Sequence, residues 1–265
     1  MNPIFIKIGN IEIRWYSILI LSAFIIGYYL ILKRSKDEKI DKTAVSDLCF
    51  YLVIVSILGA RLYYCIFNLD YYLMDPLSIF KIWEGGLAIH GGVIAGIIFS
   101  IFYCKKKNLD LIKIFDIVAP SLVLGQAIGR WGNFFNSEAF GPITKLSTLK
   151  SLHIPKFIID GMYIDGAYHH PTFFYESLGC LIIFIILIIF RNKLKKGQIT
   201  GIYFTLYGIV RFFIESLRQD SLMLGIIKIA QLVSIVAILV GLYLFVKPYV
   251  RSNYDKQKVG RNIKR

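Results

Sequence analysis

Three arginines stand where arginine is least comfortable. Arg61, Arg130 and Arg211 each lie inside a run apolar enough to be buried in lipid, while every other Lys or Arg falls in a segment between such runs or at a terminus. An arginine at mid-bilayer costs about 2.5–3.5 kcal/mol even on the lenient insertion scale, so it normally faces a bundle interior or cavity that holds a partner. Snorkelling to the interface would account for one arginine near a helix end, but less well for three. Their neighbours are patterned. In GRWGNFFNSEAFG (129–141) Arg130, Asn133 and Asn136 recur at three, a single helical stripe. In YGIVRFFIESLR (207–218) Tyr207, Arg211, Glu215 and Arg218 recur at four, four and three, again one face. Phosphate is the natural guest for such arginines, because the guanidinium fork binds two of its oxygens at once and gains strength away from water.

Other chemistries find less support. There is no Walker-type glycine loop, no acidic cluster for a two-metal site, and no DxxDG…AR signature of alcohol phosphatidyltransferases. GxSxG and a serine–histidine pairing are also missing, so a nucleophile, if one is needed, arrives with a substrate. Cys49, Cys65, Cys104 and Cys180 fall in or at the ends of apolar runs without CxxC spacing and read as small buried apolar residues. No metal site and no cofactor is expected.

The elements that must carry these residues are membrane helices. Hydrophobic residues make up 56% of the 265, and several runs reach the eighteen or more residues that a spanning helix requires. The expectation is an all-α polytopic membrane protein with seven spans near 15–32, 44–66, 86–104, 114–135, 172–190, 199–217 and 226–246. These form a single transmembrane domain over 1–265, and the first span reads as a retained helix rather than a removable signal peptide.

The net charge of +14 raises the question of nucleic acid, but its distribution argues for orientation instead. Twenty Lys and Arg lie in 33–42, 105–113, 191–196 and 247–265, against eight in the segments that alternate with them. The positive-inside rule then places the N-terminus outside and a basic tail, 247–265, in the cytoplasm on anionic lipid. No nucleic-acid partner is expected. In this topology Arg61, Arg130 and Arg211 all fall toward the outer leaflet, with His90, Tyr16, Tyr175 and Glu176 at outer helix ends, which predicts a polar, anion-friendly chamber there. Outside the bilayer, FIKIGNIEIRWY reads as a short hairpin or, equally, an irregular interfacial segment, 67–85 as a Tyr/Trp-rich surface arm, and 136–171 as a small external cap. Gly92 with Gly96, and Gly125 with Gly129, have the spacing that lets helices approach closely.

EGGLAIHGGVIAG (84–96), GRWGNFFNSEAFG, HPTFFYE (170–176) and YGIVRFFIESLR occur in this order, after an RWY start and a GAR in the second span. Together they resemble the phosphatidylglycerol–prolipoprotein diacylglyceryl transferase family, over about residues 13–246. Ser17 replaces a glycine common after WY, Thr172-Phe173-Phe174 replaces Ser-Gln-Leu, and the end of the sixth-span motif reads Arg218-Gln219-Asp220. The resemblance implies transfer of the diacylglyceryl group of phosphatidylglycerol to the lipobox cysteine of a preprolipoprotein, with release of glycerol 1-phosphate, in a bacterial cytoplasmic membrane. It also implies the roles: Arg130 and Arg211 as phosphate clamp and His90 as base, unless His90 is a structural histidine. Tyr16, Arg61, Asn133, Asn136, Glu138, Gly141 and Tyr207 bind substrate, and Glu215 orients Arg211. Glu176 and Tyr175 either line the pocket or pin the fifth helix. The rival readings are a transporter or flippase for an anionic lipid or solute, for which no inverted repeat is visible, and a non-catalytic assembly factor.

Overall fold

The computed structural model describes residues 2–263 apart from Asn10, Asp220 and Leu222, so part of the Arg218-Gln219-Asp220 corner and the last two residues of the basic tail lie outside it. The chain opens with the expected hairpin, β1 (Ile4–Ile8) antiparallel to β2 (Ile11–Arg14), turning through Gly9 at φ 58°. Helices α1 (Trp15–Asp37) and α2 (Lys42–Ile66) follow. Next come α3 (Leu69–Met74) and two 3₁₀ turns, Pro76–Phe80 and Ile82–Glu84, where the surface arm was expected. Helices α4 (Ile89–Lys106) and α5 (Leu111–Phe135) lead to the cap, which contains α6 (Leu146–Ser151) and α7 (Lys156–Gly161). Its three short strands, β3 (Ile143–Thr144), β4 (Tyr163–Ile164) and β5 (Ala167–His169), form an antiparallel sheet in the order β3-β5-β4. Helices α8 (Thr172–Phe190) and α9 (Gln198–Leu217) precede a second hairpin, β6 (Met223–Leu224) and β7 (Ile227–Lys228), and the final α10 (Ile229–Ile263).

Among the described residues, six helices are long and apolar enough to cross a membrane: α1, α2, α4, α5, α8 and residues Ile229–Tyr249 of α10. The seventh expected span is α9, long enough at 20 residues but diluted by Gln198, Thr200, Arg211 and Glu215. The helix richest in isoleucine, α8, shows what selects the conformation. Its LIIFIILIIF run has strand propensity. Lipid offers no partner to an unpaired peptide group, however, and only a helix satisfies the whole backbone within one segment.

The chain divides into two compact units, residues 31–114 and residues 1–30 with 115–265. In the smaller, α2 and α4 pack almost backbone to backbone. A Cβ on Gly59 would lie 2.3 Å from that of Ala95, and one on Gly91 would lie 2.4 Å from the Gly59 carbonyl oxygen. A Cβ on Gly92 or Gly96 would lie 3.0 Å from the Ser56 carbonyl oxygen or 3.2 Å from Ser56 Oγ, the close approach that their spacing suggested. Gly125, by contrast, has open space around its Cβ position, and a Cβ on Gly129 would meet only the Ile20 side chain of α1, at 3.4 Å, so that second pair brings no helix backbone close. Spacing shows that small residues share a face, not that another helix lies on it.

In the larger unit Ala119, Val123 and Ala127 of α5 pack with Cys180, Ile183 and Leu187 of α8 and Ile199 and Tyr203 of α9. The cap has its own core, in which Leu149, Ile158 and Met162 surround Phe134 and Phe173. Asp116 secures the start of α9 from another helix. Its Oδ2 accepts from Gly197 N at 2.6 Å, and its Oδ1 accepts from Thr200 N at 2.9 Å and Thr200 Oγ1 at 2.7 Å. A carboxylate at the positive end of the helix satisfies donors that have no partner within it. Asp116→Ala is expected to destabilise the protein by about 2 kcal/mol, near the top of the range for lost caps because the donors are buried, measured by denaturant unfolding in detergent.

Candidate active site

The site is built where α5, α8 and α9 present charge to one another. Glu176, one turn into α8, is 1% exposed, and the residues around it are pinned. Thr172 Oγ1 donates to the Ala139 carbonyl, Phe173 stacks on Phe134 with centroids 4.8 Å apart, and Ser177 Oγ donates to the Ala127 carbonyl at 2.8 Å. Two arginines from different helices meet this carboxylate. Arg130 Nη2 donates to Glu176 Oε1 at 2.8 Å, and Arg211 Nη1 donates to Glu176 Oε2 at 3.2 Å. The Tyr207 hydroxyl adds a third donor to Oε1 at 3.2 Å. Arg211 Nη2 also donates to Glu215 Oε2 at 2.5 Å, across one turn of α9. Two cations and two anions thus share a largely buried cluster, and removing either sign would leave an uncompensated charge in a poor solvent for it.

From Arg130 a polar chain runs toward the cap. Arg130 Nη1 donates to Asn133 Oδ1 at 3.4 Å, and Asn133 Nδ2 donates to Glu138 Oε1 at 2.8 Å. Asn136 Nδ2 reaches the same oxygen at 3.3 Å, while its own Oδ1 is buried with no hydrogen-bond partner among the described residues. The end of α5 makes this chain. Ser137 adopts φ 52°, Glu138 N donates to the Asn133 carbonyl at 3.0 Å and Ser137 N to that of Phe134 at 3.1 Å. That is a Schellman cap with serine where glycine is usual, and it turns Glu138 back onto the stripe. A non-glycine residue in this conformation is strained, and such strain clusters at functional sites.

The remaining expected site residues fall as follows. The ring of Tyr16 lies against Gly132, where any added Cβ would come within 2.4 Å of Tyr16 Cδ2, so it sits beside the stripe of Arg130 and Asn133. Gly141 is a seam residue. Its N–H donates to the His170 carbonyl at 2.9 Å, its oxygen lies 2.9 Å from His169 Nδ1, and a Cβ there would strike His170 and Thr172. His90, in the first turn of α4, is exposed, with its ring 6.5 Å from that of Tyr63.

Arg61 departs from the expectation that three arginines gather round one phosphate. It belongs to the smaller unit and the residue is only 7% exposed. Nε donates to the Ile79 carbonyl at 2.8 Å, Nη1 to Gly85 and Gly86 at 2.8 and 3.0 Å, and Nη2 to Ser78 and Lys81 at 2.6 and 3.4 Å. It also lies over the Tyr72 ring at 5.2 Å. A membrane arginine can be satisfied by main-chain carbonyls as well as by an anion, and here the former holds the arm together.

Glu176 is the residue that the sequence reading left undecided. The available signal was electrostatic: a carboxylate one turn inside the most apolar span must be matched to cations, and two intramembrane arginines were at hand.

The helices define a multi-pass membrane protein, and its charged centre is a buried cluster of two arginines and two carboxylates. Comparison with known proteins specifies the class. The prolipoprotein diacylglyceryl transferase model matches residues 3–247, and the chain belongs to that family. It is 45% identical over 259 residues to the phosphatidylglycerol–prolipoprotein diacylglyceryl transferase of Staphylococcus xylosus, covering 97% of this chain and 93% of the relative. The protein of the same name from Clostridium novyi (strain NT) is 48% identical over 253 residues, covering 95% of this chain and 98% of the relative.

Proposed function

We propose that this protein transfers the diacylglyceryl group of phosphatidylglycerol to the thiol of a lipobox cysteine in a preprolipoprotein, the first step of lipoprotein maturation. The observation that carries this reading is the convergence of Arg130 and Arg211, from separate helices, on the two oxygens of one oxyanion. A phosphodiester presents the same paired acceptors. As the thiolate attacks the glyceryl carbon, the C–S bond forms, the C–O bond breaks and its electron pair stays with the phosphate. The phosphate gains a second negative charge, so guanidinium groups that hold it more tightly in that state lower the barrier.

Glu215 keeps Arg211 aligned across its turn. Asn133, Asn136 and Glu138 supply acceptors suited to the hydroxyls of a glycerol head group, the unpartnered Oδ1 of Asn136 among them. Tyr16, Gly141 and Tyr207 shape the walls. We assign His90 as the base that takes the thiol proton, and Arg61 as the residue that holds the arm. The site then lies toward the outer leaflet of a bacterial cytoplasmic membrane, with the N-terminus outside and the C-terminus in the cytoplasm.

Purified protein in phosphatidylglycerol vesicles with a lipobox peptide is expected to yield a thioether-linked diacylglyceryl peptide and glycerol 1-phosphate in equal amounts, followed by mass spectrometry and phosphate release. Movement of lipid or solute without either product would overturn the assignment in favour of transport.

A further inference from the structure

We propose that Glu176 is an internal competitor for the substrate's phosphate, so that binding at Arg130 and Arg211 is an exchange of carboxylate for phosphate and product release is the reverse exchange. The inference rests on the reading of these arginines as phosphate ligands. In this structure the place between the two guanidinium groups is held by Glu176, which uses one oxygen for each, at 2.8 and 3.2 Å. Glu215 is different. It contacts Arg211 within one helix, through the other terminal nitrogen, and can stay while Nη1 changes partner.

The backbone around Glu176 is fixed on both sides, by Thr172 on Ala139 and by Ser177 on Ala127. An exchange therefore proceeds by rotation of the glutamate side chain, not by movement of α8. Its direction follows from charge. The entering phosphodiester carries one negative charge and the departing phosphomonoester two, so the arginines hold product more tightly than substrate. A resident carboxylate with its side chain only 2% exposed has no comparable partner in water and regains the two guanidinium groups as product leaves. Glu176 is on this account a positioning residue that weakens ground-state affinity and speeds turnover.

The test is Glu176→Gln, which keeps the shape and removes the competing charge. The KM for phosphatidylglycerol and the inhibition constant of glycerol 1-phosphate are each expected to fall roughly tenfold, the effect of losing one charge-assisted contact. kcat should fall with them, and thioether should form in a burst of about one per enzyme before slow steady-state release. A purely structural glutamate would lower stability without tightening product inhibition, and unchanged or weaker inhibition in a folded variant overturns the proposal. If Glu176→Gln does not fold, Tyr207→Phe decides: it removes the hydroxyl that anchors Glu176 Oε1 and should tighten product inhibition by roughly two- to threefold, whereas weaker or unchanged inhibition overturns the idea. Wild-type protein that makes no thioether would overturn the transferase reading and this inference with it; normal wild-type turnover with unaltered inhibition in both variants overturns this inference alone.

Discussion

Arg130→Ala and Arg211→Ala are each expected to lower kcat/KM by roughly a thousandfold or more while the protein still inserts and folds. Removing one preorganised donor to a developing oxyanion typically loses about 10²–10³ in rate, and here each arginine supplies a full charge as well as a donor. Truncating either also leaves Glu176 with half of its countercharge, so the surviving arginine is drawn more strongly to the carboxylate and offered less to phosphate. Lysine at either position should recover only part of the loss, since it restores a point charge without the fork. Thioether formation over a range of lipid concentrations, with protein quantified in the membrane, measures both. Activity within a few-fold of normal in either alanine variant would remove that residue from the mechanism.

His90→Gln should reduce turnover by roughly 10²–10⁴, the usual contribution of a positioned general base. Glutamine retains a polar side chain at the start of α4 but cannot accept the thiol proton. The loss should narrow as pH rises, because an ordinary cysteine thiol with a pKa of about 8.5 ionises by itself in that range. A deficit of only a few-fold, independent of pH, would mark His90 as a structural residue of a glycine-rich helix start.

Much of the scaffold was legible because it obeys local rules. The hairpin at Gly9, the run lengths of the helices and the stripe Tyr207–Arg211–Glu215 follow from periods of two and 3.6 and from the length of chain that crosses lipid. So did the link from Arg130 to Asn133, since the two lie three residues apart in one helix. The return of Glu138 onto that stripe was less legible, because it depends on Ser137 adopting a left-handed conformation that its side chain does not favour. The pairing of small residues failed at Gly125 and held at Gly92 for a similar reason: the sequence lists which residues share a face but not what lies opposite.

The site divides along the same line. From sequence alone came the demand: three arginines and several carboxylates in apolar runs, each too costly to leave unmatched in lipid. Only the tertiary structure decided how the demand is met. Arg61 satisfies itself on five carbonyls of its own arm, whereas Arg130 and Arg211 converge on Glu176 across three helices. A buried charge must find a partner, but main-chain oxygens and carboxylates both serve, and which one is within reach depends on helix packing set by residues far away in the chain.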